Sequence, residues 1–162
     1  MGELAPLPRV LGRLDRAMLV VTAAVDDAAG GCLVGFSTPC SVHPPRMAVF
    51  LSRANRTTRL AAYADHLAVH FPAADQRGLA AHFGSRSGDE VDKLRGVAHH
   101  RPVAGAVLLT APPLRFVGRI LDRVDGGDHV GFVLAPRHVE GTDDFVPLRF
   151  SDVTDLEPGH DP

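Results

Sequence analysis

The sequence predicts a mainly β protein, an antiparallel β-barrel with a few helices packed outside it. Three observations carry that expectation. About seven short apolar or alternating runs read as strands. Tight turn signals, Asp26-Asp27-Ala28-Ala29-Gly30-Gly31 and Asp125-Gly126-Gly127-Asp128, read as hairpin connections. The strands do not alternate regularly with long helices, which argues against a doubly wound parallel sheet.

Taken in order, Leu7, Val10, Leu11, Leu14 and Met18 have helical spacing, so a helix with one buried face is expected there. Met18 to Val25 is a continuous β-prone run, and Cys32 to Ser37 is its hairpin partner across the Asp26–Gly31 turn. Pro44-Pro45 stops what precedes it, since proline lacks a donor and constrains its neighbour. Met47 to Ser52 is a third strand, and Asn55 is placed to cap a helix over Arg56 to Ala64. Leu67 to Phe71 is a short strand. Asp75 is placed to cap a helix through Leu79, Ala80 and Phe83, with a break at Gly84–Gly88 and a helical turn or two over Asp89–Val97. Val103–Thr110 and Leu114–Val124 read as long strands, the second with Arg115, Val117, Arg119, Leu121 and Arg123 on a wet face. His129–Leu134 returns from the Asp125–Asp128 turn, and Phe145–Phe150 closes the set.

The 162 residues suit one domain over residues 1–155, with 156–162 as a loose tail. With 45% hydrophobic and 22% charged residues, the chain is outside the disordered class. A net charge of −2 argues against nucleic-acid binding, which needs a basic face. Of the 17 lysines and arginines only Lys93 is lysine, which reads as compositional bias. No apolar run approaches the ~20 residues that cross a bilayer. The first ten residues, with Glu3, Pro6 and Pro8, lack an export-signal pattern. A cytoplasmic protein is expected, with Cys32 and Cys40 reduced.

Several stock chemistries are missing: there is no dinucleotide glycine fingerprint, phosphate loop or nucleophile elbow. No metal is expected. His99 and His100 are adjacent and point apart, and His66 and His70 lie four apart on a strand. Four polar, glycine-bearing loop clusters remain: Gly35 to Ser41, Ser52 to Thr58, Gly84 to Asp89, and Gly127-Asp128-His129. A helix start with free amides, hydroxyls and the arginines Arg53 and Arg56 is a natural phosphate seat. Read singly, a serine-rich helix start is a cap and Gly-Asp-His is a turn.

In this order the clusters resemble the flavin reductase-like family, whose members adopt an FMN-binding split barrel. The matching stretches are Gly31 to Ser41-Val42-His43-Pro44-Pro45, Ser52 to Thr58, Phe83-Gly84-Ser85-Arg86-Ser87-Gly88-Asp89, and Gly127-Asp128-His129, so the resemblance spans about residues 7 to 150. Where many relatives carry Thr-x-Ser-Ser this chain has Leu33-Val34-Gly35-Phe36, which leaves backbone amides in place of hydroxyls. The family's aromatic-rich end is replaced by Leu148-Arg149-Phe150-Ser151 and an acidic tail.

The resemblance implies an NAD(P)H-dependent flavin oxidoreductase that uses FMN or FAD and supplies a partner monooxygenase. It implies that Leu33, Val34, Gly35, Phe36, Ser37 and Thr38 line the flavin ring. Ser52, Arg53, Asn55 and Thr57 would hold the phosphate, assisted by Arg86. His129 would face the reactive side and donate a hydrogen bond there. A homodimer is implied as well. The residues leave open a non-enzymatic flavin-binding module, an electron carrier or sensor, or a relative that binds haem or another cofactor. For Arg86 the bland reading is a salt bridge to Asp89 or Asp92.

Overall fold

The computed structural model describes residues 6–159. Helix α1 covers only Pro6–Leu11 and none of its residues is buried. The expected buried helical face is absent: Leu7, Val10, Leu11 and Leu14 are all more than half exposed. The helix stops at Gly12, and nothing among the described residues packs on its apolar side. Met18 alone of that set is buried, held by a hydrogen bond from its N–H to the Leu148 carbonyl.

Strands β1 (Leu19–Val25) and β2 (Ala28–Val34) pair antiparallel, with Val25 opposite Ala28. The turn is therefore only Asp26-Asp27, with Asp26 at φ 51°. Gly30 and Gly31, expected in that turn, lie inside β2. Their role is close approach: a Cβ on Gly31 would sit 2.7 Å from the Phe83 ring, and one on Gly30 3.3 Å from Arg56 and Leu60.

Strands β3 (Phe36–Ser41) and β4 (Arg46–Ser52) follow, then helix α2 (Arg56–Ala61) directly after Asn55, and β5 (His66–Phe71). Helix α3 (Arg77–Gly84) starts one residue later than expected, because Gln76, not Asp75, precedes it. The Gln76 side-chain oxygen accepts from the Ala73 N–H at 2.9 Å. The expected helical turns over Asp89–Val97 are separate turns closed by Val91 N–H to Ser87 O and Val97 N–H to Leu94 O. The strand expected over Val103–Thr110 shrinks to β7 (Leu108–Leu109), which pairs with β6 (His99–His100). Gly105, at φ 78°, and the Ala106 N–H to Val103 O bond turn the chain just before it.

Strands β8 (Leu114–Asp125) and β9 (His129–Gly141) form the long hairpin. Val117, expected on its wet face, is fully buried, because the β6–β7 segment brings Ala106 and Leu108 onto it. The last expected strand, Phe145–Phe150, is reduced to two single bridges, Ala73 to Pro147 and Ala17 to Arg149, before a 3-10 turn at Phe150–Asp152. Pro147 has no N–H to extend a ladder.

The main sheet is antiparallel in every pairing, in the order β2-β1-β5-β8-β9-β4-β3. Its two edges, β2 and β3, are joined in sequence by Gly35 alone. Flat, six inter-strand steps would hold those edges about 29 Å apart. A two-residue step spans about 7 Å. The sheet must therefore curl until its edges nearly meet, which gives a barrel split between β2 and β3. Edge strand β3 tolerates Pro39 because its outer side has no ladder to complete.

Leu19, Val21, Leu51, Leu67, Val69, Phe132 and Leu134 fill the inside of the curl. Outside it, Val20 and Ala24 pack against Phe83, Leu94, Val107 and Leu109. Strand β1 is thus buried on both faces, which explains its unbroken apolar run. His70 is a satisfied core histidine: Nδ1 donates to Val20 O at 2.8 Å, and Nε2 accepts from Leu109 N–H at 2.9 Å. Burial pushes its pKa down to about 4, so it is neutral.

Candidate functional site

A cavity of about 340 Å³ opens beside the β2–β3 corner, within the range of small-molecule sites. One wall is made by strands. Cys32, Leu33, Val34, Gly35 and Phe36 run along it, joined by Phe50 and Ser52 of β4, Asn55, and His129 at the start of β9. Register brings these together: Phe36 lies opposite Phe50, and Ser52 opposite His129. Phe50 can lie flat there because Gly131 is its partner across the strands. A Cβ on Gly131 would come within 2.6 Å of the ring.

The other wall is irregular. It comprises Phe83 and Gly84 at the end of α3, Arg86 and Lys93 from the following loop, Arg16 and Met18, and Phe150, Val153 and Leu156 to Pro158. Arg16 ties these pieces to the corner. Its Nε donates to Gly35 O at 2.6 Å, and its guanidinium lies 4.0 Å from the Phe150 ring centre and 5.2 Å from that of Phe36. Residues 156–158, expected as loose tail, line the cavity, and the Gly159 N–H donates to Gly84 O at 3.1 Å.

His129 stacks obliquely on Phe36 with ring centres 4.8 Å apart, and its Nδ1 lies 2.6 Å from the Asp128 carboxylate. A carboxylate only accepts, so Nδ1 carries the proton. With Nδ1 engaged by Asp128, Nε2 is the ring nitrogen left for a ligand. The turn before it is fixed by Gly127 at φ 101° and by Arg53. The Arg53 Nε donates to Gly127 O at 2.7 Å, and the guanidinium pairs with Asp125 at 2.8 Å.

The predicted residues thus divide. Leu33, Val34, Gly35, Phe36, Ser52, Asn55, Arg86 and His129 line one cavity. Arg53 does not; it clamps the β8–β9 turn that presents His129. Thr57 is buried behind the wall against the Cys32 thiol. Ser37 and Thr38 run out along β3, where Thr38 bonds the Pro39 carbonyl. Asp89, one of the two expected bland partners of Arg86, pairs with Arg59.

Sequence reasoning missed Phe50, Phe83, Arg16, Lys93 and the 150–158 wall. Two of them carried a signal: Phe83 heads the stretch through Asp89 that resembles the family, and Lys93 is the single lysine among arginines. Cys32 and Cys40 are both free thiols, and burial pushes Cys32 up to about 11, which leaves it protonated and inert. Among the described residues no His, Cys, Asp and Glu group is placed to hold a metal.

An aromatic-lined slot with three cations, Arg16, Arg86 and Lys93, against the one carboxylate of Glu157 suits a flat, anionic cofactor. Phe36, Phe50 and Phe83 offer ring surface, while Arg86, Lys93, Ser52 and Asn55 offer donors for carbonyl and phosphate oxygens. The fold and site therefore define a barrel built to hold an aromatic nucleotide cofactor. A family model, the flavin reductase like domain, matches residues 11–153, and the chain belongs to that family.

FMN reductase (NADH) SmoA of Agrobacterium fabrum is 32% identical over 146 residues, covering 87% of this chain and 78% of that protein. A putative diflavin flavoprotein of Nostoc is 24% identical over 124 residues, or 76% of this chain. The chain spans only 22% of the Nostoc protein's length. The crystal structure of an FMN-binding protein from Thermus thermophilus superposes with a TM-score of 0.76 at 26% identity, covering 82% of this chain and 74% of that one.

Proposed function

We propose that this protein is an NAD(P)H-dependent flavin oxidoreductase that takes FMN, or the flavin end of FAD, into the cavity beside the β2–β3 corner. The observation that carries the reading is the convergence of Leu33–Phe36, Ser52, Asn55, Arg86 and His129 on one aromatic-lined slot in a chain of the flavin reductase-like family. The resemblance to the Agrobacterium FMN reductase supports nicotinamide as the reductant.

A bound flavin supplies the chemistry, accepting a hydride from the nicotinamide and passing the electron pair on. The protein holds and orients. Leu33 to Phe36 would lie along the ring edge, and Arg86 would meet oxygens at the mouth. His129 Nε2, on a ring oriented by Asp128, would meet the nicotinamide carboxamide or the flavin edge.

Phe36 is 48% exposed, so the mouth is open to solvent, as release of a flavin to a separate monooxygenase requires. No helix of the described residues is long and apolar enough to cross a membrane, and a cytoplasmic location belongs to the same reading. So does a homodimer, supported by the apolar side chains that Leu7, Val10, Leu11 and Leu14 leave exposed.

The test is NADH and NADPH oxidation in air by the purified protein, with FMN, FAD or riboflavin added. Turnover that rises with added flavin is expected. A protein that binds flavin but leaves both nicotinamides untouched would be a carrier or sensor and not a reductase.

A further inference from the structure

Two contacts set the ring of His129, the side chain placed at the open face of the cavity. The Asp128 carboxylate takes Nδ1 at 2.6 Å, and the Phe36 ring lies 4.8 Å away, centre to centre, at 44°. A hydrogen bond to one nitrogen leaves an imidazole free to swing about that bond, the more so because the Asp128 side chain is 67% exposed. The plane of the ring therefore depends on Phe36. Phe36 opens edge strand β3 and is half-exposed, so no ladder secures it on its outer side. Besides His129, the group that meets its ring is the Arg16 guanidinium, 5.2 Å from the ring centre.

Arg16 is itself held by both ends of the fold. Its carbonyl accepts from the Phe150 N–H at 2.8 Å, and Ala17 bridges to Arg149. The adjacent Asp15 carboxylate accepts from the Ser151 N–H at 3.0 Å and from the Ser151 hydroxyl at 2.9 Å. The guanidinium lies 4.0 Å from the Phe150 ring centre, while Nε donates to Gly35 O at 2.6 Å and Nη1 to Leu14 O at 3.0 Å. A guanidinium combines these contacts because it is flat and carries its donors on a fixed fork; an ammonium has neither face nor fork. One line of contact thus runs from the covering wall to the open face: Phe150, Arg16, Phe36, His129.

Resting on the flavin reading, we propose that Arg16 is a positioning residue for the nicotinamide step, setting the plane of the His129 imidazole through Phe36. The pose of His129 then depends on the covering wall as well as on the strand that carries it.

The experiment reads the two halves of that claim separately. The carbon-bound ring protons of His129, identified by their loss in His129→Ala, are followed by NMR in the flavin-free protein. In wild type the Phe36 ring is expected to displace them from free-imidazole positions, and Arg16→Lys is expected to return them most of the way. Arg16→Lys keeps the charge and removes the plane, so FMN affinity by fluorescence titration is expected within about threefold of wild type. Bleaching of bound FMN by NADH in stopped flow is expected to slow about 5- to 20-fold, as misplacement of a positioning group implies. In a His129→Ala background the same substitution is expected to change the rate less than about twofold, because the group it positions is gone.

Unmoved His129 resonances in Arg16→Lys would overturn the proposal. Equal slowing with and without His129 would overturn it too, since Arg16 would then act on the flavin or on the fold. Should Arg16→Lys not fold, Phe36→Leu cuts the same line and is expected to give the same shifts and the same His129-dependent slowing; wild-type resonances and rates there would overturn the proposal. A wild type that neither binds nor bleaches FMN would instead remove the flavin reading, while the resonances would still report whether Arg16 holds His129.

Discussion

The two walls of the cavity are built by different physics. The strand wall, Leu33 to Phe36 with Phe50, Ser52 and His129, is set by ladder register, and each side chain's face follows from its position in a pairing. The covering wall, residues 83–93 and 150–158, has almost no regular structure and is held by single contacts such as Arg16 on Phe150 and Lys93 on Phe83. Recognition of a flat ring can be left to the rigid wall. Charge is contributed mainly by the irregular one, through Arg16, Arg86 and Lys93.

His70 joins the barrel to the material outside it, and its variants carry the largest expected effect. It bonds Val20 in β1 and Leu109 in the covering segment while neutral, with a pKa of about 4 against an ordinary 6.5. Between those values the unfolded chain binds a proton that the folded chain refuses, so stability falls as pH falls through that window. The loss should approach about 3 kcal/mol near pH 4. The carboxylates Asp15, Asp125, Asp155 and Glu140, held below their ordinary values of 3.8–4.5, lose their share only at lower pH. Urea midpoints measured across the window should therefore slope in wild type and flatten in His70→Gln. A flat wild-type profile would break the joint.

The strand wall is sharpened by Gly131→Val. The new side chain needs the space of the Phe50 ring, where even a Cβ would stand 2.6 Å away. Overpacking should cost about 1–3 kcal/mol in a urea titration. Pushing Phe50 into the slot should also weaken FMN more than tenfold, read by fluorescence. Stability lost with FMN affinity intact would separate Phe50 from the site.

Arg86 and Arg53 compare the walls directly. Arg86→Ala should weaken FMN about tenfold. Arg53→Ala should leave FMN affinity within twofold and cost under about 1 kcal/mol, since its pair with Asp125 is exposed. It should still slow flavin bleaching by NADH in stopped flow, because the turn that orients His129 loosens. Equal losses of FMN affinity in both variants would return Arg53 to the phosphate seat.

The same contrast explains what could be read from the sequence. Period and turn signals located β1, β4, β5, β8 and the start of β9, while Leu33–Phe36, Ser52 and His129 were picked out by the resemblance to the flavin reductase-like family. Gly30 and Gly31 misled as turn residues, because their small size serves Phe83 and Leu60, which arrive from distant positions. The apolar spacing of Leu7 to Leu14 promised a buried face that no described element covers. Arg53 looked like a phosphate ligand because local sequence cannot show that Asp125 and Gly127 lie within its reach. The covering wall had no periodicity to find, since its order comes from tertiary contacts alone.

The most direct measurement is the structure of the protein crystallised with FMN. The account predicts the ring against Leu33–Phe36, with Phe83 on the covering side, His129 at the open face and Lys93 Nζ on a flavin oxygen. FMN seated instead in the charged cleft of about 730 Å³ lined by Arg56, Arg95 and Arg101 would contradict it.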